Sequence, residues 1–164
     1  MLSREHHKIR PAQSGEARQL SDLALRSKAH WDYSARFLEA CREELSFSEK
    51  QLVSRNRRFF VLEQAWTIIG FYALNRQTQA EIELEALFVE PEFIGAGCGG
   101  LLFEHAKSTA AGMGAEQLVI QGDPNAEGFY LAAGGVLTGS SESESIPGRF
   151  LPTFSINLSG GGAV

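Results

Sequence analysis

Apolar residues recur along this chain in two rhythms, and the change of rhythm divides it. Over the first third they fall three and four apart. Leu20, Leu23, Ala24 and Ser27 share one helical face, with Ser14 as a candidate N-cap. A second helix is expected from about Tyr33, burying Phe37, Leu38, Cys41 and Leu45, and residues 47–54 add a short one capped by Ser48. A short strand at residues 7–11 (HKIRP) precedes them. From residue 59 the rhythm is that of strands: 59–62 (FFVL), 67–74 (TIIGFYAL) and 81–89 (EIELEALFV), with a polar turn over 75–80. Connections this short predict an antiparallel meander.

The helical rhythm returns once. Leu101, Leu102, Ala106, Ala110 and Met113 mark a helix stopped by Gly112 and Gly114, and residues 118–121 (LVIQ) follow as a strand. A strand, a helix and a strand in that order predict one parallel pairing, between residues 81–89 and 118–121. Asn125 is a candidate N-cap for a short helix over 127–133, ended by Gly134 and Gly135. Residues 136–141 and 150–158 read as a closing pair of strands around a turn at Ile146, Pro147 and Gly148. The fold class expected is α/β (α+β): a mixed, mainly antiparallel central sheet of six to seven strands flanked by helices. One domain is expected over residues 1–158, with a flexible tail at 159–164.

Composition narrows the function classes. The chain has 164 residues, 43% hydrophobic and 21% charged, as in a soluble globular protein. No apolar run approaches a membrane span, and the N-terminal MLSREHHKIR lacks the core of a signal peptide, so a cytoplasmic protein without a membrane partner is expected. A net charge of −5 argues against a nucleic-acid partner; the one basic cluster, residues 55–58, reads as a solvated turn. Cys41 and Cys98 have no metal or redox spacing and are expected as reduced thiols. His6 and His7 lie in an expected loose terminus, His30 and His105 lack partners at ligand spacing, and His105 is expected on its helix's surface, so no metal is expected.

The candidate chemistry lies between residues 81 and 135. Gly95, Gly97, Gly99 and Gly100 stand between a strand and a helix. Glycines there leave the first helical N–H groups bare, and with the helix dipole they form a phosphate cradle. Gly95-x-Gly97-x-x-Gly100 also satisfies the dinucleotide fingerprint, with Asp123 as a candidate ribose acid, but Glu90-Pro91-Glu92 parts strand from glycines and antiparallel strands precede it. No Lys-Ser/Thr pair follows, which disfavours a nucleotide P-loop.

Two motifs together are more specific. Val89-Glu90-Pro91, then Ile94-Gly95-Ala96-Gly97-Cys98-Gly99-Gly100 and Leu101-Leu102, followed later by Asn125, Phe129, Tyr130 and Gly134, resemble the acyl-CoA motifs of the GNAT N-acetyltransferase superfamily. Ile94 departs from the Arg or Gln usual at the start of that loop. The resemblance implies the GNAT fold and transfer of an acetyl group from acetyl-CoA to a primary amine. It implies that Leu87, Phe88 and Val89 pair with the pantetheine arm, that residues Ile94 to Gly100 with Asn125 and Phe129 bind coenzyme A, and that Tyr130 is the general acid. A homodimer is an expectation of the resemblance alone. Tyr130 could equally pack with Phe129 as core. Glu81, Glu83 and Glu85 alternate along one strand face, so Glu85 or Glu83 could serve as base through water, or all three could form a solvated face. Cys98 reads as a small hydrophobe rather than a nucleophile. Arg149 reads as a surface residue of a structural turn, with recognition of a substrate carboxylate as the alternative. A catalytically inactive CoA-binding regulatory module is the alternative to an enzyme.

Overall fold

A computed structural model describes residues 7–158. His6 and the expected tail at 159–164 lie outside the described residues. The elements run β1 (His7–Pro11), α1 (Ala17–Ala29), α2 (Ala35–Cys41), α3 (Glu49–Leu52), β2 (Arg57–Gln64), β3 (Thr67–Arg76), β4 (Glu81–Val89), α4 (Cys98–Gly112), β5 (Gln117–Gln121), α5 (Glu127–Ala132), β6 (Val136–Glu142) and β7 (Phe150–Asn157). The seven strands form one sheet in the order β1-β2-β3-β4-β5-β7-β6. Among these pairs only β4–β5 is parallel, joined through α4, and the rest are antiparallel. β7 lies between β5 and β6, so the closing hairpin enters the sheet by its second strand.

Two apolar layers cover the sheet. On one face Leu102, Phe103, Ala106 and Ala110 of α4 pack on Tyr72, Leu74, Ile82, Leu84 and Leu118. On the other, Leu20, Leu23 and Ala24 of α1, with Cys41 and Leu45, pack on Val61, Phe71, Ala73 and Ala86. Leu45 is buried although α2 ends at Cys41. Gly70 on β3 lets α4 approach: a Cβ there would stand 3.0 Å from Leu102 Cδ1 and 3.0 Å from the Phe88 carbonyl oxygen.

Several local expectations are corrected. Ser14 does not cap α1. The helix begins at Ala17, and its exposed donors at Gly15 and Ala17 are met by the Glu49 carboxylate at 2.6 and 2.9 Å, a cap supplied from α3. The second helix, expected from about Tyr33, starts at Ala35 behind a Ser34 cap. Asn125 does not cap α5; Asp123 accepts the Asn125 N–H and caps the 3-10 turn Pro124–Ala126 that leads into it. His105 is half-buried rather than fully on the surface, its Nδ1 2.7 Å from the Tyr72 hydroxyl, which also meets Thr109 Oγ1 at 2.9 Å. Ser48 does cap α3, in a reciprocal capping box with Gln51.

The alternation along β4 is broken by a bulge. Ala73 pairs with Ala86 and Leu74 with Leu84, leaving Glu85 as the extra residue. Leu84 therefore joins the α4-side layer while Ala86 joins the α1-side layer, a switch that strict period two forbids.

Gly70→Val tests the close approach of α4. The branched side chain meets backbone as well as Leu102, so a loss of roughly 1–3 kcal/mol is expected in urea denaturation. An unchanged midpoint would show that α4 can shift away without cost.

Candidate functional site

β4 and β5 stay paired only from Glu81/Gln117 to Leu84/Ile120. β4 continues to Val89 against β3, so from Glu85 onward its other edge has no neighbouring strand. The opening is a cavity of about 1040 Å³, walled by residues 83–89, the glycine loop, the turn after β5, and residues 43–47. It connects the two sides of the sheet.

On the α4 side lies the cradle. Gly95 and Gly97 have φ of 85° and 93°, and Gly97 stands at the N-terminus of α4. Left-handed backbone of this kind excludes most side chains. A Cβ at Gly95, Gly97 or Gly100 would meet nothing within 4 Å, so the loop is bare toward the cavity rather than packed. Leu101 is the first helical residue whose N–H reaches back to a carbonyl, that of Gly97 at 3.1 Å; helix geometry leaves the N–H groups of Cys98, Gly99 and Gly100 unmet. Gly99 instead faces Phe129 of α5, and a Cβ there would touch that ring at 3.4 Å. Ile94, Phe93 and Phe129 pack at the margin of the α4-side core, so Ile94 anchors the loop through apolar contact. The Ala96 N–H is taken by Phe93 O. Cys98 is fully buried, and burial pushes its thiol pKa up, so it packs as a small hydrophobe.

These residues fit a pyrophosphate-bearing acyl thioester. Unmet amides at a helix N-terminus suit the phosphates, and the free edge at Leu87, Phe88 and Val89 suits an amide-bearing arm.

Tyr130 is buried among Phe103, Phe129 and Phe154, with ring centroids 5.2–5.8 Å away, and reaches the cavity wall. Gly122 makes room for its ring, since a Cβ there would lie 3.2 Å from Tyr130 Cδ2 and Cε2. Burial, with the nearby charge of Asp123 added, raises its pKa well above the usual tyrosine value. Tyr130 thus packs in the core and also forms part of the cavity wall.

On the α1 side the cavity is acidic. Glu83 and Glu85 line it with Glu43, Glu44 and Glu144. Glu85 is held by Arg57, Nε to Oε2 3.0 Å, with a second contact of 3.3 Å. Glu83 has only a 3.5 Å contact from Gln77 Nε2. Burial raises its pKa above the usual carboxylate range; the charges of Glu85 and Glu144 add to this, and Arg57 opposes it. The two carboxylates are therefore unequal: Glu85 is paired with a guanidinium, and Glu83 is half-buried with its pKa raised.

Sequence reasoning passed over a third group. Lys28 Nζ, the Tyr33 hydroxyl and both nitrogens of Asn125 converge on Asp123. Arg149 Nη2 donates to the Tyr33 hydroxyl at 3.0 Å and lies 3.6 Å from Asp123. The surface position expected for Arg149 is thus corrected: its side chain is half-buried over the Phe37 ring, 4.7 Å from the centroid. Burial and the Asp123 carboxylate push the Tyr33 pKa up to about 12. Burial opposes ionisation of Asp123, but donors from Lys28 and the Asn125 N–H outweigh it and lower its pKa. The signals that could have flagged the group were Asp123 in the turn before Pro124 and the lone basic residue after Gly148.

A family model for a GNAT acetyltransferase domain matches residues 15–146. In sequence comparison no curated protein matches. Among solved structures the chain is similar to PaiA N-acetyltransferase from Thermoplasma acidophilum in complex with coenzyme A, at 19% identity, covering 92% of this chain and 98% of that one, with a TM-score of 0.75. It is similar to a GNAT family acetyltransferase from Elizabethkingia anophelis with acetyl-CoA bound, at 18% identity, 94% and 99% coverage and a TM-score of 0.66. It is also similar to spermidine/spermine N-acetyltransferase SpeG from Vibrio cholerae, at 22% identity, 94% coverage of both chains and a TM-score of 0.69. These likenesses show the fold.

Gly97→Val probes the cradle. A β-branched residue at a φ of 93° is strained, and its methyls would stand among the bare amides. Coenzyme A affinity by calorimetry is expected to fall at least about tenfold, with the melting temperature followed to separate folding from binding. Unaltered affinity would put the phosphates elsewhere.

Proposed function

The chain belongs to the GNAT acetyltransferase family, and on that premise we propose that it transfers the acetyl group of acetyl-CoA to a primary amine by direct attack. The observation that carries this reading is the single cavity that joins a bare glycine cradle to an acidic chamber through the gap between β4 and β5.

Each residue then has a role. The N–H groups of Gly97 to Gly100, with Gly95, hold the pyrophosphate, assisted by the positive end of α4. The unpaired edge of β4 at Leu87, Phe88 and Val89 takes the pantetheine amides as an added strand. A β4 backbone N–H near Leu87 donates to the thioester carbonyl and stabilises the oxyanion that forms on attack. Ile94 steadies the loop, so backbone amides carry the phosphates without a cationic side chain.

The amine arrives as an ammonium and must lose a proton. Glu83 is the better base, since Glu85 is committed to Arg57. A carboxylate with a raised pKa lies nearer the operating pH and accepts a proton more readily. Attack of the neutral amine forms the C–N bond and the oxyanion. As the oxyanion collapses the C–S bond breaks, the electron pair leaves with sulfur, and the second amine proton passes to the thiolate or to solvent. Tyr130 donates a hydrogen bond to that thiolate. Its raised pKa exceeds that of an alkyl thiol, about 8.5, so it stays protonated throughout and stabilises the leaving group rather than surrendering its proton outright. The acidic chamber draws cationic amines toward the attack position.

Thiol release from acetyl-CoA over a panel of monoamines, diamines, aminoglycosides and peptides tests the activity. Turnover with any amine is expected; tight coenzyme A binding with silence across the panel would favour a binding module instead. Tyr130→Phe is expected to lower kcat about 10- to 100-fold with coenzyme A affinity retained, and an unaltered rate would make Tyr130 core alone. Glu83→Gln is expected to lower kcat about 100-fold. With Glu83 in place, kcat/KM falls as pH drops through its raised pKa, because the protonated carboxyl cannot act as base. That acidic limb should vanish in Glu83→Gln. A limb that persists would assign it to another group.

A further inference from the structure

The Asp123 cluster ties together segments far apart in the chain and on both sides of the cavity. Asp123 and Asn125 lie in the turn that leaves β5 and leads to α5, which packs beside the cradle. Lys28 is at the end of α1, and Tyr33 lies between α1 and α2. Arg149 ends the segment joining β6 to β7, which folds over the acidic chamber. That segment is fastened at its middle as well: Ser145 Oγ donates to Glu44 at 2.6 Å, and Ile146 packs on the α1-side layer.

Tyr33 is the hub. Its hydroxyl donates to Asp123 at 2.8 Å and accepts from Asn125 Nδ2 and Arg149 Nη2, both at 3.0 Å. Its ring stacks on Phe37 at 4.1 Å, and the Arg149 guanidinium covers Phe37 beside it. One hydroxyl thus links the turn beside the cradle to the segment over the chamber.

We propose that Tyr33, Asp123 and Arg149 form a clasp that holds the β6–β7 segment over the acceptor chamber, making Tyr33 and Arg149 positioning residues for the amine and not for acetyl-CoA. The assignment of the chamber to the amine rests on the function proposed above; the clasp itself does not. The physical basis is that the segment from Ser143 to Arg149 has no ladder to hold it. Ser143 N–H to Arg149 O at 2.7 Å and Gly148 N–H to the Glu142 carboxylate at 2.9 Å close it on itself. Its attachments to the rest of the protein are side chains, and Arg149 supplies the one that reaches the turn after β5, through Tyr33 and Asp123.

Tyr33→Phe removes the hydroxyl and leaves the ring stack. It strips Arg149 of its hydrogen bond and leaves Asp123 its Lys28 and Asn125 donors. With the best amine of the panel, KM for the amine is expected to rise about tenfold, while coenzyme A affinity by calorimetry stays within about twofold. Arg149→Ala is expected to give the same split. Limited trypsin digestion gives a readout that needs no activity: cleavage after Arg149 is expected about tenfold faster in Tyr33→Phe than in the unaltered protein. Cleavage at an unaltered rate overturns the clasp. Equal losses of amine and coenzyme A affinity overturn its assignment to the acceptor. If the unaltered protein acetylates no amine at all, the proposed function fails by itself, and the digestion still decides the clasp.

Discussion

Hydrogen bonding between β4 and β5 stops after four residue pairs, and the rest of the molecule is arranged around that stop. A parallel pair is continuous where both strands share a twist and register, as they do from Glu81 to Leu84. The bulge at Glu85 then turns β4 while β5 ends at Gln121. Backbone groups left open inside a protein must find partners. Here they line a cavity of about 1040 Å³, which leaves the unpaired edge of β4 open to an added strand. α4 packs its N-terminus against one side of the opening, and the acidic residues gather on the other.

The charges sort themselves accordingly. Glu85 and Arg57 neutralise one another, and Asp123 is surrounded by donors, so neither is free for chemistry. Glu83 is half-buried beside like charges, and burial first and those charges second raise its pKa. Burial in its aromatic shell raises the Tyr130 pKa as well as fixing the position of the ring. Core packing and a place in the cavity wall therefore coexist at that side chain, and the one does not exclude the other.

Much of the fold was legible because its signals are local. Helical and strand rhythms marked the elements, and short connections marked the antiparallel meander. The order strand, glycine loop, helix, strand marked the one parallel pair. The cradle was legible for the same reason: Gly95 to Gly100 are contiguous, and their bareness is a property of the loop itself. What was missed joins distant residues. The cap of α1 comes from Glu49, more than thirty residues on. The partner of Tyr33 is Asp123, with a sequence separation of 90. Ser14 and Asn125 looked like caps because their residue types favour that role, yet Glu49 meets the donors at the start of α1, and Asp123 caps the turn before α5, which has no side-chain cap of its own.

Sequence by itself determined where the chain is helical, where it is extended, and where a phosphate could be held, since each depends on residues within a few positions of one another. Tertiary structure decided which carboxylate is neutralised, where β7 enters the sheet, and how the segment after β6 is tied to the turn after β5. Those outcomes depend on burial and on charge across the fold, and neither is a property of any one stretch. The glycine loop is the plainest case of both. Its open amides follow from its residues, but it opens onto the cavity only because β4 and β5 part beside it.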